Sequence, residues 1–294
     1  MILEEPYIAP YSELLAVSSE TADQIEYMEK TDCLGGMNWS VRQYAQSPLV
    51  RNARIIGGTA RYLLKTGNVE LPLKGSEFPA GICGAEVKDN EITISFAGLG
   101  GGGVGVAGCR TKADGILSAE YSECGGGKTG RATIHLPKRE RVIIGIDDTD
   151  TPEAGATWSL AHRIGKSVET KQSRYISHTI VQLFPVKQRT KNCVATALEF
   201  ATSEPDKLIS QVKELVETYT LSDKTGMAVF RGFDPSPLLS YGWMVKKGEV
   251  TTDALNEIRK YIETPINGSG IIGAAAAIPF ATKYHEALEL CGHP

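Results

Sequence analysis

The 294-residue sequence predicts an α+β fold: a glycine-rich, mostly β domain over residues 1–139, then a ferredoxin-like βαββαβ-type domain over 140–294. Three observations predict it. Between about Leu34 and Arg139 glycine is dense and the apolar runs are short. The polar, proline-bearing stretch LPKRER (136–141) interrupts that texture and marks the boundary. Beyond it, strand-like and helix-like segments follow in the order β-α-β-β-α-β.

Residues 11–30 read as a helix entered from a turn at Pro10, with Leu14 and Leu15 followed by an acidic, alanine-containing run. LVRNARII, GICGAEV, NEITISF and ATIHL read as strands between Gly, Asn and Pro punctuation. AGLGGGGVGVAG (97–108) reads as a flexible or packed glycine segment, and ECGGGKTG (123–130) as a glycine loop. In the second half VIIGI (142–146) is a buried strand. EAGATWSLAHRIGK (153–166) is a helix with Trp158, Ala161 and Ile164 on one side. HTIVQLF (178–184), CVATALEF (193–200) and GMAVFRG (226–232) are strands. EPDKLISQVKELVETY (204–219) is a helix with Leu208, Val212, Leu215 and Tyr219 on one face. TDALNEIRKYI (252–262) and Gly270 to Ile278 add two more helices.

Hydrophobic residues at 41% and charged residues at 22% suit a protein with a real core, and a net charge of -4 argues against a broadly basic nucleic-acid coat. No window approaches the ~18 consecutive apolar residues that a membrane span needs. The acidic N-terminus lacks the basic and apolar regions of a signal peptide, and the six cysteines form no CxxC pair. The expectation is a cytoplasmic, reduced protein with no membrane partner; oligomeric state is left open.

In IGIDDTD (144–150) a buried strand runs directly into Asp147, Asp148 and Asp150. Ligands sit at such strand ends in α/β sheets, and hard carboxylate oxygens suit magnesium. The same residue types also make an acidic turn that caps the following helix, and both readings carry comparable weight. Mutual repulsion of adjacent aspartates favours a counter-cation. In NGSGIIGAAAAI (267–278), Gly268 and Gly270 can let backbone amides approach a phosphate and Gly273 with the four alanines allows close packing, or the segment is simply a tightly packed small-residue helix. A substitution Gly270→Val is then expected to block a phosphate while leaving the carboxylates untouched. In KQRTKN (187–192), Lys187, Arg189 and Lys191 can neutralise phosphates or solvate a hairpin loop.

GGGKTG (125–130) mimics a phosphate-binding loop, but Ser122 stands where the spacing needs glycine and a strand-like RATIHL follows. Cys33, Cys83, Cys109 and Cys124 can in principle hold a metal or cluster, yet their isolated spacing favours ordinary buried cysteines.

Four segments in order, IDDTD (146–150), QLFPVKQRTKN (182–192), DKTGMAVF (223–230) and GSGIIGAAAAIP (268–279), resemble the motifs of the kinase-type domain of archaeal tRNA-Ile agmatidine synthetases. They span about half of the chain. Ser269 stands where that family has arginine, and AGATWS (154–159) replaces its GMCTTY segment. The length and the leading glycine-rich domain resemble the methanogenesis marker protein 11 family. These resemblances imply ATP and Mg²⁺ as cofactors, with Asp147, Asp148 and Asp150 as catalytic metal ligands. They place Gly268, Gly270, Gly273, Arg189, Lys191 and Asn192 at the nucleotide. They imply an ATP- and Mg-dependent phosphoryl-transfer protein linked to methanogenesis, with RNA or a methanogenesis protein as partner. The competing expectation is a non-catalytic nucleotide-sensing or assembly factor with a degenerate site.

Overall fold

The computed structural model describes residues 2–190 and 192–292. It is a mixed α/β structure whose three sheets are antiparallel, and its chain divides into two compact units, Met1–Arg139 and Glu140–Pro294.

In the first unit, β1 (Glu13–Ser18) and β2 (Gln24–Lys30) occupy the stretch that the sequence predicts as a helix. The correction has a local cause. SSETAD closes a turn, with the Ser19 and Thr21 hydroxyls donating to Asp23 Oδ1 at 2.8 and 2.6 Å, and all six residues of β1 are buried. A strand buried on both faces loses the alternation that distinguishes it from a helix. Next come α1 (Leu34–Tyr44), β3 (Val50–Ile56) and β4 (Thr59–Lys65), giving a sheet ordered β1-β2-β4-β3. The second sheet uses β5 (Gly67–Asn68), β6 (Ala80–Lys88), β7 (Glu91–Leu99), β8 (Ser118–Tyr121) and β9 (Thr129–Pro137), ordered β5-β6-β7-β9-β8. Both sheets contribute to one core, which includes Ile25, Tyr62, Ile82, Phe96 and Ile134.

The glycine segment 97–108 is packed. It forms α2 (Gly101–Val104) and a π-helical turn, Gly105–Cys109. A Cβ on Gly103 would come within 2.7 Å of Gly98 O and 2.9 Å of Gly130 N, so backbone meets backbone here. Just beyond it, the guanidinium of buried Arg110 forks onto both oxygens of buried Glu29, at 2.6 and 2.9 Å, enclosed by Tyr11, Tyr44 and Phe96.

The second unit is built on β10 (Glu140–Asp147), α3 (Thr157–Ser167), β11 (Ser173–Gln182), β12 (Val194–Thr202), α4 (Pro205–Tyr219) and β13 (Gly226–Arg231). There follow α5 (Leu239–Lys247), β14 (Glu263–Asn267), α6 (Ile271–Ala277) and α7 (Tyr284–Leu288). Their sheet runs β11-β12-β10-β13-β14, so the first strand lies at its centre. Strand alternation sends Val142, Ile144 and Ile146 of β10 into a core shared with α3 and α4. Ile143, Gly145 and Asp147 point the other way, towards α6.

Several boundaries differ from the expectation. α3 starts at Thr157 because Thr151 N bonds Ala154 O at 2.9 Å and Gly155 has φ +93, which holds residues 151–155 in a turn. Its buried face carries Thr157, Ala161 and Ile164, while Trp158 is exposed. In α4 the buried set is Leu208, Ile209, Val212 and Val216, with Tyr219 outside. The predicted helix over 252–262 is instead two 3₁₀ turns, Thr252–Glu257 and Arg259–Tyr261; Leu255 of the first and Ile258 between the two are buried. No helix among the described residues is long and apolar enough to cross a membrane.

Candidate functional site

The far end of β10 opens into a cavity of about 320 Å³. Asp147, Asp148, Lys224, Ser269, Gly270 and Gly273 line one part of it. Leu183, Phe184, Val186, Val245, Val250 and Ile272 supply apolar wall, and Arg189, Asn192 and Cys193 are among the other lining residues. Residues far apart in sequence meet here because α6 lies directly on β10 and β13. A Cβ on Gly145 would fall on the carbonyl of Ala274, and one on Gly226 would fall on the Ile271 amide. Glycine at those positions lets the helix backbone touch the sheet backbone.

Asp147 is the last residue of β10 and points towards α6, its carboxylate against the Cα of Gly273. Its Oδ1 accepts the Asp148 amide at 2.9 Å. Asp148 has φ +54, a left-handed conformation that Asp tolerates better than most residues and that turns the chain off the strand. The Thr225 hydroxyl donates to Asp148 O at 3.0 Å and fixes that turn. Burial, and then the charges of Asp148 and Asp150, hold the Asp147 carboxyl well above the usual carboxylate range. Burial and Asp150 push Asp148 in the same direction, while Lys224 opposes them.

The three aspartates do not converge. Asp150 lies outside the cavity lining, and its Oδ1 accepts the Thr157 hydroxyl at 3.1 Å. That same Thr157 oxygen accepts the Thr149 amide and hydroxyl, each at 3.0 Å. Asp150 therefore organises the start of α3, the role of an acidic turn, while Asp147 and Asp148 face the cavity. Among the described residues no group of three or more His, Cys, Asp or Glu side chains could hold a metal ion, and of the three aspartates Asp147 and Asp148 line the cavity. The same finding gives no support to a centre built on Cys33, Cys83, Cys109 and Cys124, and Cys33 is exposed.

The glycine segment also differs from the phosphate-cradle expectation. The Gly268 amide donates to Thr225 O at 3.0 Å and the Gly270 amide to Lys224 O at 2.8 Å. Both donors are occupied within the protein. A Cβ on Gly270 would come within 2.8 Å of Asp148 Cβ, so Gly270→Val displaces the carboxylate that it was expected to spare. Gly268 is not in the lining, whereas Gly270 and Gly273 are. Arg189 curls back, its Nη1 donating to Pro185 O at 3.0 Å and Val186 O at 2.6 Å. Lys191 lies outside the described residues. Lys224, Ser269 and the wall following α5 were not among the predicted site residues. Lys224 was detectable in principle, as a cation placed two residues before a buried strand in a motif already singled out.

Comparison with known proteins places this geometry. The family model described as the TiaS TCKD domain matches residues 143–207, which include both cavity aspartates. The protein described as Uncharacterized protein MJ0921, from Methanocaldococcus jannaschii, is 41% identical over 96% of this chain and 97% of its own length. The chain belongs to the family of MJ0921. Similarity to solved structures is partial. The TiaS–tRNA(Ile2)–ATP complex aligns with a TM-score of 0.43 and 23% identity over 48% of this chain and 36% of that one. Apo TiaS, a tRNA-Ile2 agmatidine synthetase, gives 0.42 and 23% over 47% and 35%. The chain thus spans about a third of the length of those two structures.

The carboxyl shifts in this member of the MJ0921 family carry a pH prediction. An acid whose folded pKa is raised contributes stability that is complete below its unfolded pKa and lost as pH rises through the folded one. For Asp147 the loss begins near pH 4, the ordinary carboxylate value, and extends upward. Asp147→Asn is therefore expected to raise the melting temperature of the ligand-free protein at pH 7, and to raise it less at pH 5. Fluorimetric melts of both proteins across that range are the check, and an equal or negative difference at pH 7 refutes the assignment.

Proposed function

We propose that the unit Glu140–Pro294 is a ferredoxin-like domain that binds ATP with Mg²⁺ and transfers a phosphoryl group. The observation that carries this reading is the pairing, in one cavity, of two cation-seeking carboxylates and Lys224 with an extended apolar wall. A triphosphate suits the charged part and a base suits the apolar part. The donor set fits magnesium: Asp147 and Asp148 offer hard oxygens, and burial, with the like charges beside it, raises both carboxyls, a cost that a divalent cation relieves. Two carboxylates leave the remaining coordination to phosphate oxygens and water, as is usual for Mg²⁺ in phosphoryl-transfer sites. Bound there, Mg²⁺ supplies charge neutralisation at the transferring phosphoryl group. Lys224 neutralises a further phosphate charge, the Ser269 hydroxyl donates to a phosphate oxygen, and the rigid contact between α6 and the sheet keeps the carboxylates in place. The match to the TiaS TCKD domain supports the nucleotide reading, and the resemblance to methanogenesis marker protein 11 supports a link to methanogenesis. RNA is the acceptor class that the first resemblance favours.

A second reading, a nucleotide sensor without catalysis, draws on one observation. Arg189 is folded onto backbone carbonyls, and Ser269 leaves that position without a cation. Calorimetry separates the outcomes. ATP with Mg²⁺ is expected to bind with micromolar affinity, and Mg²⁺ by itself to bind at least about 100-fold more weakly because the protein contributes too few ligands. Absence of ATP binding with Mg²⁺ present defeats both readings. Binding with neither ATP hydrolysis nor transfer to RNA selects the sensor.

A further inference from the structure

Lys246 is fully buried at the end of α5, yet its three ammonium hydrogens all go to backbone carbonyls. It donates to Gln182 O at 2.6 Å, Ala287 O at 2.9 Å and Glu289 O at 2.8 Å. Those carbonyls come from two segments: the end of β11, and the end of α7 with the chain that follows it. One ammonium therefore bolts the segment 287–292 to the strand that leads into the cavity. The two residues after Gln182, Leu183 and Phe184, are cavity wall. The Gln182 side chain reinforces the same joint, its Nε2 donating to Leu183 O at 2.9 Å and Cys193 O at 3.0 Å. On the far side, Gly292 lies against the ring of Phe184, where a Cβ would come within 2.7 Å of Cδ2. Val245, the residue before Lys246, lines the cavity and accepts the Phe184 amide at 3.3 Å.

We infer that residues 287–292 form a strap seated behind the apolar wall of the cavity, and that Lys246 is the positioning residue that fixes this wall for the base of a bound nucleotide. The inference rests on the nucleotide reading for its ligand but not for its geometry. The buried ammonium satisfies three backbone carbonyls from two segments at once, and its loss leaves all three without that donor, which loosens the joint between them. Hydrophobic volume could have filled the same space more simply. The strap touches the ring of Phe184, which also lines the cavity, so displacement of one reaches the other.

The full chain is used for the test. ATP with Mg²⁺ is titrated by calorimetry, and alkylation of Cys193 by iodoacetamide is followed peptide by peptide without ligand. Gly292→Val, at the surface, is expected to leave the melting temperature within a few degrees. It should weaken ATP binding roughly 5- to 10-fold and speed Cys193 alkylation several-fold, with Gly292→Ala between. Lys246→Met is expected to do the same more strongly. Should Lys246→Met fail to fold, the glycine series decides. Wild-type ATP affinity together with wild-type Cys193 reactivity in Gly292→Val overturns the strap. If the unaltered protein binds no ATP, the nucleotide reading falls, and the alkylation rates still judge the strap.

Discussion

Asp148→Asn is expected to weaken Mg-dependent ATP binding about 100-fold, or about 2.7 kcal/mol. The substitution isolates charge from shape. Asparagine adopts the left-handed backbone at this position, φ +54, at least as readily as aspartate, so the turn off β10 persists. The Thr225 hydroxyl donates to the backbone carbonyl of residue 148, and that bond is also kept. What is lost is one of the two carboxylates in the cavity, the one whose charge feels the Lys224 ammonium. With Asp150 turned away to Thr157, nothing in the aspartate motif replaces it. Calorimetry of the variant with and without chelator is the measurement. An affinity equal to that of the unaltered protein, or a chelator effect of the same size in both, removes magnesium from the proposal.

Gly145→Ala is expected to give the largest loss of stability of any single methyl group added to the second unit. Gly145 lies in the central strand, between Ala197 and Ala228 on its neighbours, and its Cα faces the Ala274 carbonyl of α6. A methyl there meets backbone on the opposite side, and backbone cannot change rotamer to make room. Overpacking in a core costs about 1–3 kcal/mol when side chains can yield, so a cost of about 3 kcal/mol or more is expected. For a unit of this size that lowers the melting temperature by roughly 6–12 °C. ATP affinity should fall too, because α6 carries Gly273 against the Asp147 carboxylate. A melting temperature within 2 °C of the unaltered protein contradicts the described contact.

These two positions differ in how readable they are from sequence. The aspartates stand out because a strand buried on both faces runs straight into charge, an order that packing alone does not require. Which carboxylate faces the cavity is hidden, since a single left-handed residue at Asp148 breaks the alternation and sends Asp150 to Thr157. β12, α4 and β13 are legible from their apolar pattern. The hairpin of β1 and β2 is not, because burial on both faces of β1 erases its period. The glycines at 268 and 270 announce close approach, but sequence does not say to what. Their amides meet the carbonyls of Thr225 and Lys224, partners more than forty residues earlier in the chain. The wall after α5 has no signal, since Val245 and Val250 resemble any other core residues.

The contact between α6 and the sheet also decides how a ligand gets in and out. At Gly145 and Gly226 the two layers touch without an intervening side chain, so no rotamer change can open a gap between them. The base of the cavity is therefore a closed floor. Gln188 and Arg189, by contrast, line the cavity with exposed side chains held by Glu249 or by their own loop, so adjustment to a ligand falls to them while the floor keeps the two carboxylates in register.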